Sequence, residues 1–191
     1  MGYTDIEYKF KKLGKNVTIG RNVYFRYPDV VEIGDNVIID DFCYFTTSVK
    51  IGNYVHISPH CSVIGGKKSL FEMENFCGLS SGCRVVCSSD NYLGDGMTNP
   101  TIPYEYRSSV TNGKVIMKKH SLLGTNCVVH PNVIINEGAI TGSMSLITKD
   151  LTEWSVNYGS PSKYIKDRQR DIILGYEEKT KKENDNSNRI I

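Results

Sequence analysis

The chain has 191 residues, 39% of them apolar, and a formal net charge of +2. That length suits one domain with a small appendage, and the weak net charge argues against a dedicated nucleic-acid surface. No apolar run is long enough to span a bilayer, and the start MGYTDIEYKFKK lacks the apolar stretch of a signal peptide. A cytoplasmic protein is the expectation.

Residues 1–16 set Tyr3, Ile6, Phe10 and Leu13 at three- and four-residue steps, with Lys9, Lys11, Lys12 and Lys15 on the other face. This spacing predicts a short amphipathic helix, placed as a cap over the open end of the repeats that begin at Ile19.

From Ile19 a different period takes over. Phe25 comes six residues later, then, after a slip at Tyr27-Pro28, Ile33, Ile39, Phe45, Ile51, Ile57 and Val63. A six-residue period fits neither an amphipathic helix (3.6) nor a flat alternating strand (2.0). It fits coils of a parallel β-helix, each burying its core against its neighbours. IGDNV at 33–37 and IGNYV at 51–55 put Gly-Asp and Gly-Asn at turns, where positive φ is tolerated. Four extra residues at Gly65-Gly66-Lys67-Lys68 predict a turn protruding from one corner before Met73, Leu79 and Val85 resume the period.

The period breaks over 88–114, SSDNYLGDGMTNPTIPYEYRSSVTNGK. A loop of this length inside a compact repeat is usually functional, and its tyrosines and prolines argue for order. It is expected to contact substrate.

The period returns at Met117 and runs through Leu123, Val129, Ile135, Thr141 and Ile147, with Ser121, Cys127, Val133, Ala139 and Ser145 four places after the first five. Cys43, Cys61, Cys77 and Cys83 occupy the same small-residue slot in earlier coils, where free cysteine packs as a compact hydrophobe. Cys87 alone lies off it. No cysteine pairs have zinc-ligand spacing, so no metal is expected. The β-helix is thus assigned to 17–152. Residues 153–191 form a C-terminal segment, in which a helix starting at Ser162 with Tyr164, Ile165, Ile172 and Ile173 as its apolar face precedes a charged tail.

IGDNV, HISPHCSVIGG, the block from Val115 to Asp150 and the closing GSPSKYIKDR together resemble the hexapeptide-repeat acyltransferases, across about 17–168. Within them the likeness is to galactoside, maltose and nucleotide-amino-sugar acetyltransferases. The resemblance implies a mainly β, left-handed parallel β-helix, acetyl-CoA as co-substrate, and a homotrimer with active sites between subunits. It further implies CoA contacts at Thr125, Ser143, Thr148, Lys149, Lys163 and Lys166. Lysines would meet the CoA phosphates as point charges.

Galactoside-type members carry a catalytic histidine just after the last coil before the loop, and continuing from Met73, Leu79 and Val85 without gaps puts Asp90 there in this chain. A sugar hydroxyl needs a strong base as it attacks a thioester. A sugar amine, with an ordinary pKa of about 8, is partly the free nucleophile already, and a carboxylate can orient it. The expected function is therefore acetyl transfer to the amine of a nucleotide-linked amino sugar. O-acetylation of a sugar or glycan is the alternative, and a non-catalytic scaffold a remoter one. Asp90 is the first candidate catalytic residue and His60 the second. Ser58, Asn91, Tyr92 and Asn99 are candidate acceptor contacts. His56 and His130 flank inward anchors and are read as outward structural residues, His120 as an incidental turn residue.

Overall fold

The computed structural model describes residues 8–187. Short parallel strands wind into a three-sided coil. The first face stacks Val17–Ile19, Val37–Ile39, His56–Ile57, Gly78–Leu79, Leu122–Leu123, Ile140–Thr141 and Ser155–Tyr158. The second stacks Tyr24–Phe25, Arg84–Val86, Val128–Val129 and Leu146–Ile147 with the leading halves of Tyr44–Ile51 and Ser62–Met73. Those two long strands bend round a corner into the third face, beside Lys12–Leu13, Val31–Ile33, Lys114–Met117 and Ile134–Ile135. The chain is a parallel β-helix, as the six-residue period predicts.

The core keeps the same period. Every anchor from Ile19 to Ile147 is buried, Thr141 included, and so are the small-slot residues Ser121, Cys127, Val133, Ala139 and Ser145. Small residues recur because each coil turns sharply beside its anchor and leaves little volume there. All six cysteines are buried and free.

Corner geometry departs from the expected use of glycine. Positive φ falls on Asn36 and Tyr54, two residues after Gly34 and Gly52. The glycines serve close approach instead, since a Cβ on Gly34 would collide with Asn53 and the backbone of Gly52 in the next coil. The turn Asp and Asn side chains join coils by accepting from backbone N–H groups. Lys15 N–H donates to Asp35 Oδ1 at 2.6 Å, Asp35 N–H to Asn53 Oδ1 at 2.7 Å and Asn53 N–H to Asn75 Oδ1 at 2.8 Å. These bonds satisfy donors that the corner takes out of the ladder.

Three local expectations are corrected. Tyr3 and Ile6 lie outside the described residues, and residues 8–16 hold a strand, Lys12–Leu13, rather than a helix. The end of the core is covered by alternating Tyr8 and Phe10, whose rings meet Phe25 at 5.3 and 5.1 Å. Gly65 and Gly66 stay inside Ser62–Met73, where the extra residues are absorbed as a bulge that Thr47 Oγ1 holds by donating to Gly66 O and Ser69 O. Lys67–Ser69 have no ladder partner on Tyr44–Ile51, and Lys67 and Lys68 are exposed, so the excursion is a bulge within one strand. Finally, Lys163–Asp167 is a strand antiparallel to Ser155–Tyr158, and the helix α1 spans Asp171–Ser187. Ile172 is exposed rather than part of an apolar face. Among the described residues, no helix is long and apolar enough to cross a membrane.

Candidate active site

The long loop leaves the β-helix where the second face turns into the third. Its neck is closed by Gly113 N–H donating to Cys87 O at 2.8 Å and by antiparallel pairing of Ser88–Asp90 with Val110–Asn112. Cys87, the cysteine off the small-residue slot, is buried at this neck, and burial pushes its thiol up to about 12. It is therefore a packing thiol and not a nucleophile.

Beneath the loop lies a cleft of about 520 Å³ whose lining includes Asp90, Asn91, Tyr92, His130 and Thr148. The predicted catalytic carboxylate, two predicted acceptor contacts and one predicted CoA contact are thus brought together. Tyr92 is 77% exposed, and its hydroxyl accepts from Ser89 Oγ at 2.8 Å. Asn91 braces the loop, with its N–H donating to Ser109 O and its Oδ1 accepting from Leu93 N–H. The Asp90 carboxylate has no hydrogen-bond partner among the described residues, so it is free to meet a ligand.

Asn99 lies further out on the loop. It adopts φ 105°, and its Oδ1 accepts from Thr101 N–H at 2.9 Å and Thr101 Oγ1 at 2.6 Å, a commitment to local turn structure. Loop order also rests on Arg107, which donates to Ile102 O and Pro100 O, both at 2.5 Å.

His60 and Ser58 sit at a different corner, where the first face turns into the second. His60 adopts φ 63° and stacks on Phe42 at 5.0 Å. Thr125 and Ser143 lie on the same edge in later coils, the N–H of Met144 donating to Thr125 O at 2.8 Å. Lys163 pairs with Tyr158, and Lys166 with Val156, on the strand that closes the first face. Thr148 and Lys149 come directly after Ile147 at the loop-bearing corner. One chain thus places His60, Thr125 and Ser143 at the corner between the first two faces and Asp90, Thr148 and Lys149 at the corner between the second and third, while Lys166 lies on the first face.

His130 is the cleft residue that sequence reasoning set aside. It lies one place after the inward anchor Val129, which predicts only that it faces outward. Its nearness to Asp90 arises from the pairing of Val85 with Val129, a match between coils on either side of the loop. Among the described residues, no group of three or more His, Cys, Asp and Glu side chains is placed to hold a metal ion.

Known proteins resemble this coil of hexapeptides over most of its length. The sequence family described as bacterial transferase hexapeptide (six repeats) matches residues 31–65. The dTDP-4-amino-4,6-dideoxy-D-glucose acyltransferase of Escherichia coli is 35% identical over 170 residues, 87% of each chain. The crystal structure of AntD, an N-acyltransferase from Bacillus cereus, in complex with dTDP and 3-hydroxybutyryl-CoA superposes with a TM-score of 0.83 at 39% identity, covering 92% of each chain. A maltose O-acetyltransferase from Clostridium difficile 630, at 18% identity and a TM-score of 0.55, shares the fold. The chain belongs to the hexapeptide-repeat transferase family, and it is an acyltransferase.

Proposed function

We propose that this protein transfers an acyl group, acetyl in the simplest case, from acyl-CoA to the amine of a dTDP-linked amino sugar, with dTDP-4-amino-4,6-dideoxyglucose as the first acceptor to test. The observation that carries this reading is the likeness to AntD over nine-tenths of both chains, joined to an uncommitted Asp90 in the cleft under the loop. AntD has been crystallised with one serine substituted and with an aspartate ten positions further on substituted, in complexes with CoA and either dTDP or the dTDP-amino sugar. Ser80 and Asp90 are the one serine–aspartate pair with that spacing in this chain.

Asp90 orients the acceptor amine and takes up the proton that an ammonium must lose before it attacks. Asn91 and Tyr92 border the acceptor, while Asn99 acts indirectly by shaping the loop. The nitrogen adds to the thioester carbonyl, backbone N–H groups of a neighbouring coil stabilise the oxyanion, and the C–S bond breaks to release CoA.

The active site is completed between copies in a homotrimer. Ser80, His60, Thr125, Ser143 and Lys163 lie towards one edge of the second face and Asp90, Thr148 and Lys149 towards the other, an arrangement that suits a CoA held between two copies. Exposed apolar residues favour the same arrangement. Phe42 and Met144, 56% and 67% exposed, crown the corner between the first two faces. The third face instead carries the alternating partners Lys12, Glu32, Lys50 and Glu72. Acyl-CoA and a nucleotide sugar are both charged, water-soluble co-substrates, which suits a cytoplasmic enzyme.

The test is CoA release from acetyl-CoA with dTDP-, UDP- and GDP-amino sugars beside free galactosides, for the wild type and Asp90→Asn. Turnover of a dTDP-amino sugar, lost in the variant, is expected. Turnover of hydroxyl acceptors alone would overturn the amine assignment in favour of O-acetylation.

A further inference from the structure

Two of the four imidazoles are held by carboxylates and a third is stacked away from the cleft. His56 Nε2 meets Asp40 Oδ2 at 2.8 Å, His120 Nε2 meets Glu177 Oε2 at 2.7 Å, and His60 lies on Phe42. His130 differs. It is exposed, its ring has no hydrogen-bond partner among the described residues, and it lines the cleft with Asp90 and Thr148.

Its position along the β-helix is equally specific. Val129 pairs with Val85 on one side and Ile147 on the other, and the N–H of His130 donates to Ile147 O at 2.9 Å. The imidazole therefore projects between Val86 and Thr148, about 4.8 Å, one strand spacing, from each along the axis. Asp90 stands four residues beyond Val86 on the loop neck. If a pantetheine arm ran past Thr148 towards an acceptor at Asp90, its thioester would pass over His130, since all three residues line one cleft.

We propose that His130 is a further catalytic residue, one that touches the reacting atoms and carries a proton from the attacking nitrogen to the departing sulfur. This proposal rests on the acyl-transfer reading and adds the step that Asp90 leaves open. Asp90 accounts for the first proton, which converts ammonium to amine. When the C–N bond forms, the nitrogen becomes positively charged and must lose a second proton. Neutral imidazole accepts it and becomes imidazolium. As the C–S bond breaks, the same proton passes to the thiolate, giving CoA thiol, the amide and neutral imidazole again. No other reactant is consumed. Imidazole suits this exchange because it gains and loses a proton readily near neutral pH.

The experiment compares His130→Gln and His130→Ala with wild type and Asp90→Asn, using acetyl-CoA and dTDP-4-amino-4,6-dideoxyglucose, with CoA thiol release as the readout. Because His130 is exposed, both variants are expected to fold, which thermal unfolding checks. His130→Gln should lower kcat about 100-fold with both KM values within about twofold, and added imidazole should restore part of the activity of His130→Ala. Wild-type kcat in His130→Gln beside an inactive Asp90→Asn would overturn this proposal and leave the acyl-transfer reading standing. A rise confined to the KM for acetyl-CoA would also overturn it, since that marks a binding contact. Wild-type turnover in Asp90→Asn, or none in the wild type, would overturn the reading of the cleft and this proposal with it.

Discussion

The Glu177 carboxylate of α1 lies 2.7 Å from His120 Nε2, with both side chains almost wholly buried, at 5% and 6% exposed. Lys119 and Lys181 meet the other carboxylate oxygen at 3.0 and 2.6 Å. This cluster ties the helix to the corner between the third and first faces. There Tyr54, Phe76 and His120 form a stack with 5.0 Å spacings, and Trp154 extends it at 5.9 Å.

Glu177 should therefore be a pH-dependent anchor. Burial pushes its carboxyl up, but Lys181, His120 and Lys119 outweigh that and hold it at about 2, below the ordinary 4.5. A carboxyl depressed on folding stabilises fully above its unfolded value and loses that contribution as pH falls through the folded one. Glu177→Gln should cost about 2 kcal/mol at pH 7, about 6 °C in Tm for a chain of this size. The gap should shrink as pH is lowered from 4.5 towards 2. Melting curves that keep the same gap at pH 3 and pH 7 would contradict this.

Gly138 should tolerate no side chain. Its φ is +68°, and a Cβ there would run into the Trp154 ring. Arg168 lies over that ring at 5.9 Å and donates to the carbonyls of His120 and Gly138 at 2.7 and 2.9 Å. Gly138→Ala is expected to lose about 3 kcal/mol through backbone strain and displacement of the indole. Denaturant unfolding measures this, and a loss below about 0.5 kcal/mol would show that the indole moves aside at little cost.

Sites shared between copies should complement. Asp90→Asn and Ser143→Trp alter opposite edges of the second face, and each alone should be inactive. Co-expressed copies that mix at random in a cyclic trimer place an intact Asp90 opposite an intact Ser143 in about a quarter of sites. About that fraction of wild-type turnover should reappear. Its absence, with mixed trimers verified by mass, would count against sites between copies.

Arg107 should act on the acceptor alone. Removing its two bonds to loop carbonyls with Arg107→Ala loosens the outer loop but leaves the coils intact. An acceptor KM raised about tenfold is expected, with CoA affinity and Tm close to wild type. Calorimetric titration of CoA supplies the control, and weakened CoA binding would show that the loop also shapes that groove.

Much of the fold was legible because one inward residue per six is imposed by the coil itself. Met117 to Ile147 display that period without interruption, and even Thr141 points inward as its position dictates. Elsewhere tertiary contacts decided. Phe10 and Leu13 fit a helical spacing, yet Leu13 is 55% exposed while Tyr8 and Phe10 alternate as in an extended chain and meet Phe25. Lys163–Asp167 is exposed throughout and becomes a strand because Ser155–Tyr158 offers an unpaired edge. Asp90 could be singled out because the resemblance to galactoside-type enzymes implies a histidine at its place, so an aspartate there stands out. His130 could not, because its meeting with Asp90 depends on two coils pairing past an insertion whose course the residues alone do not fix.

That insertion leaves the coil through a neck two strands wide, and the strands on either side pair as though it were absent, Arg84 with Val128 and Leu70 with Lys114. Changes of length or sequence beyond the neck therefore impose little on the register of the coils. On the proposed reading, in which the coils hold the donor and the loop covers the acceptor, the two reactants are mechanically insulated from one another. Descendants of such a chain can rewrite one loop while the coil keeps its fold.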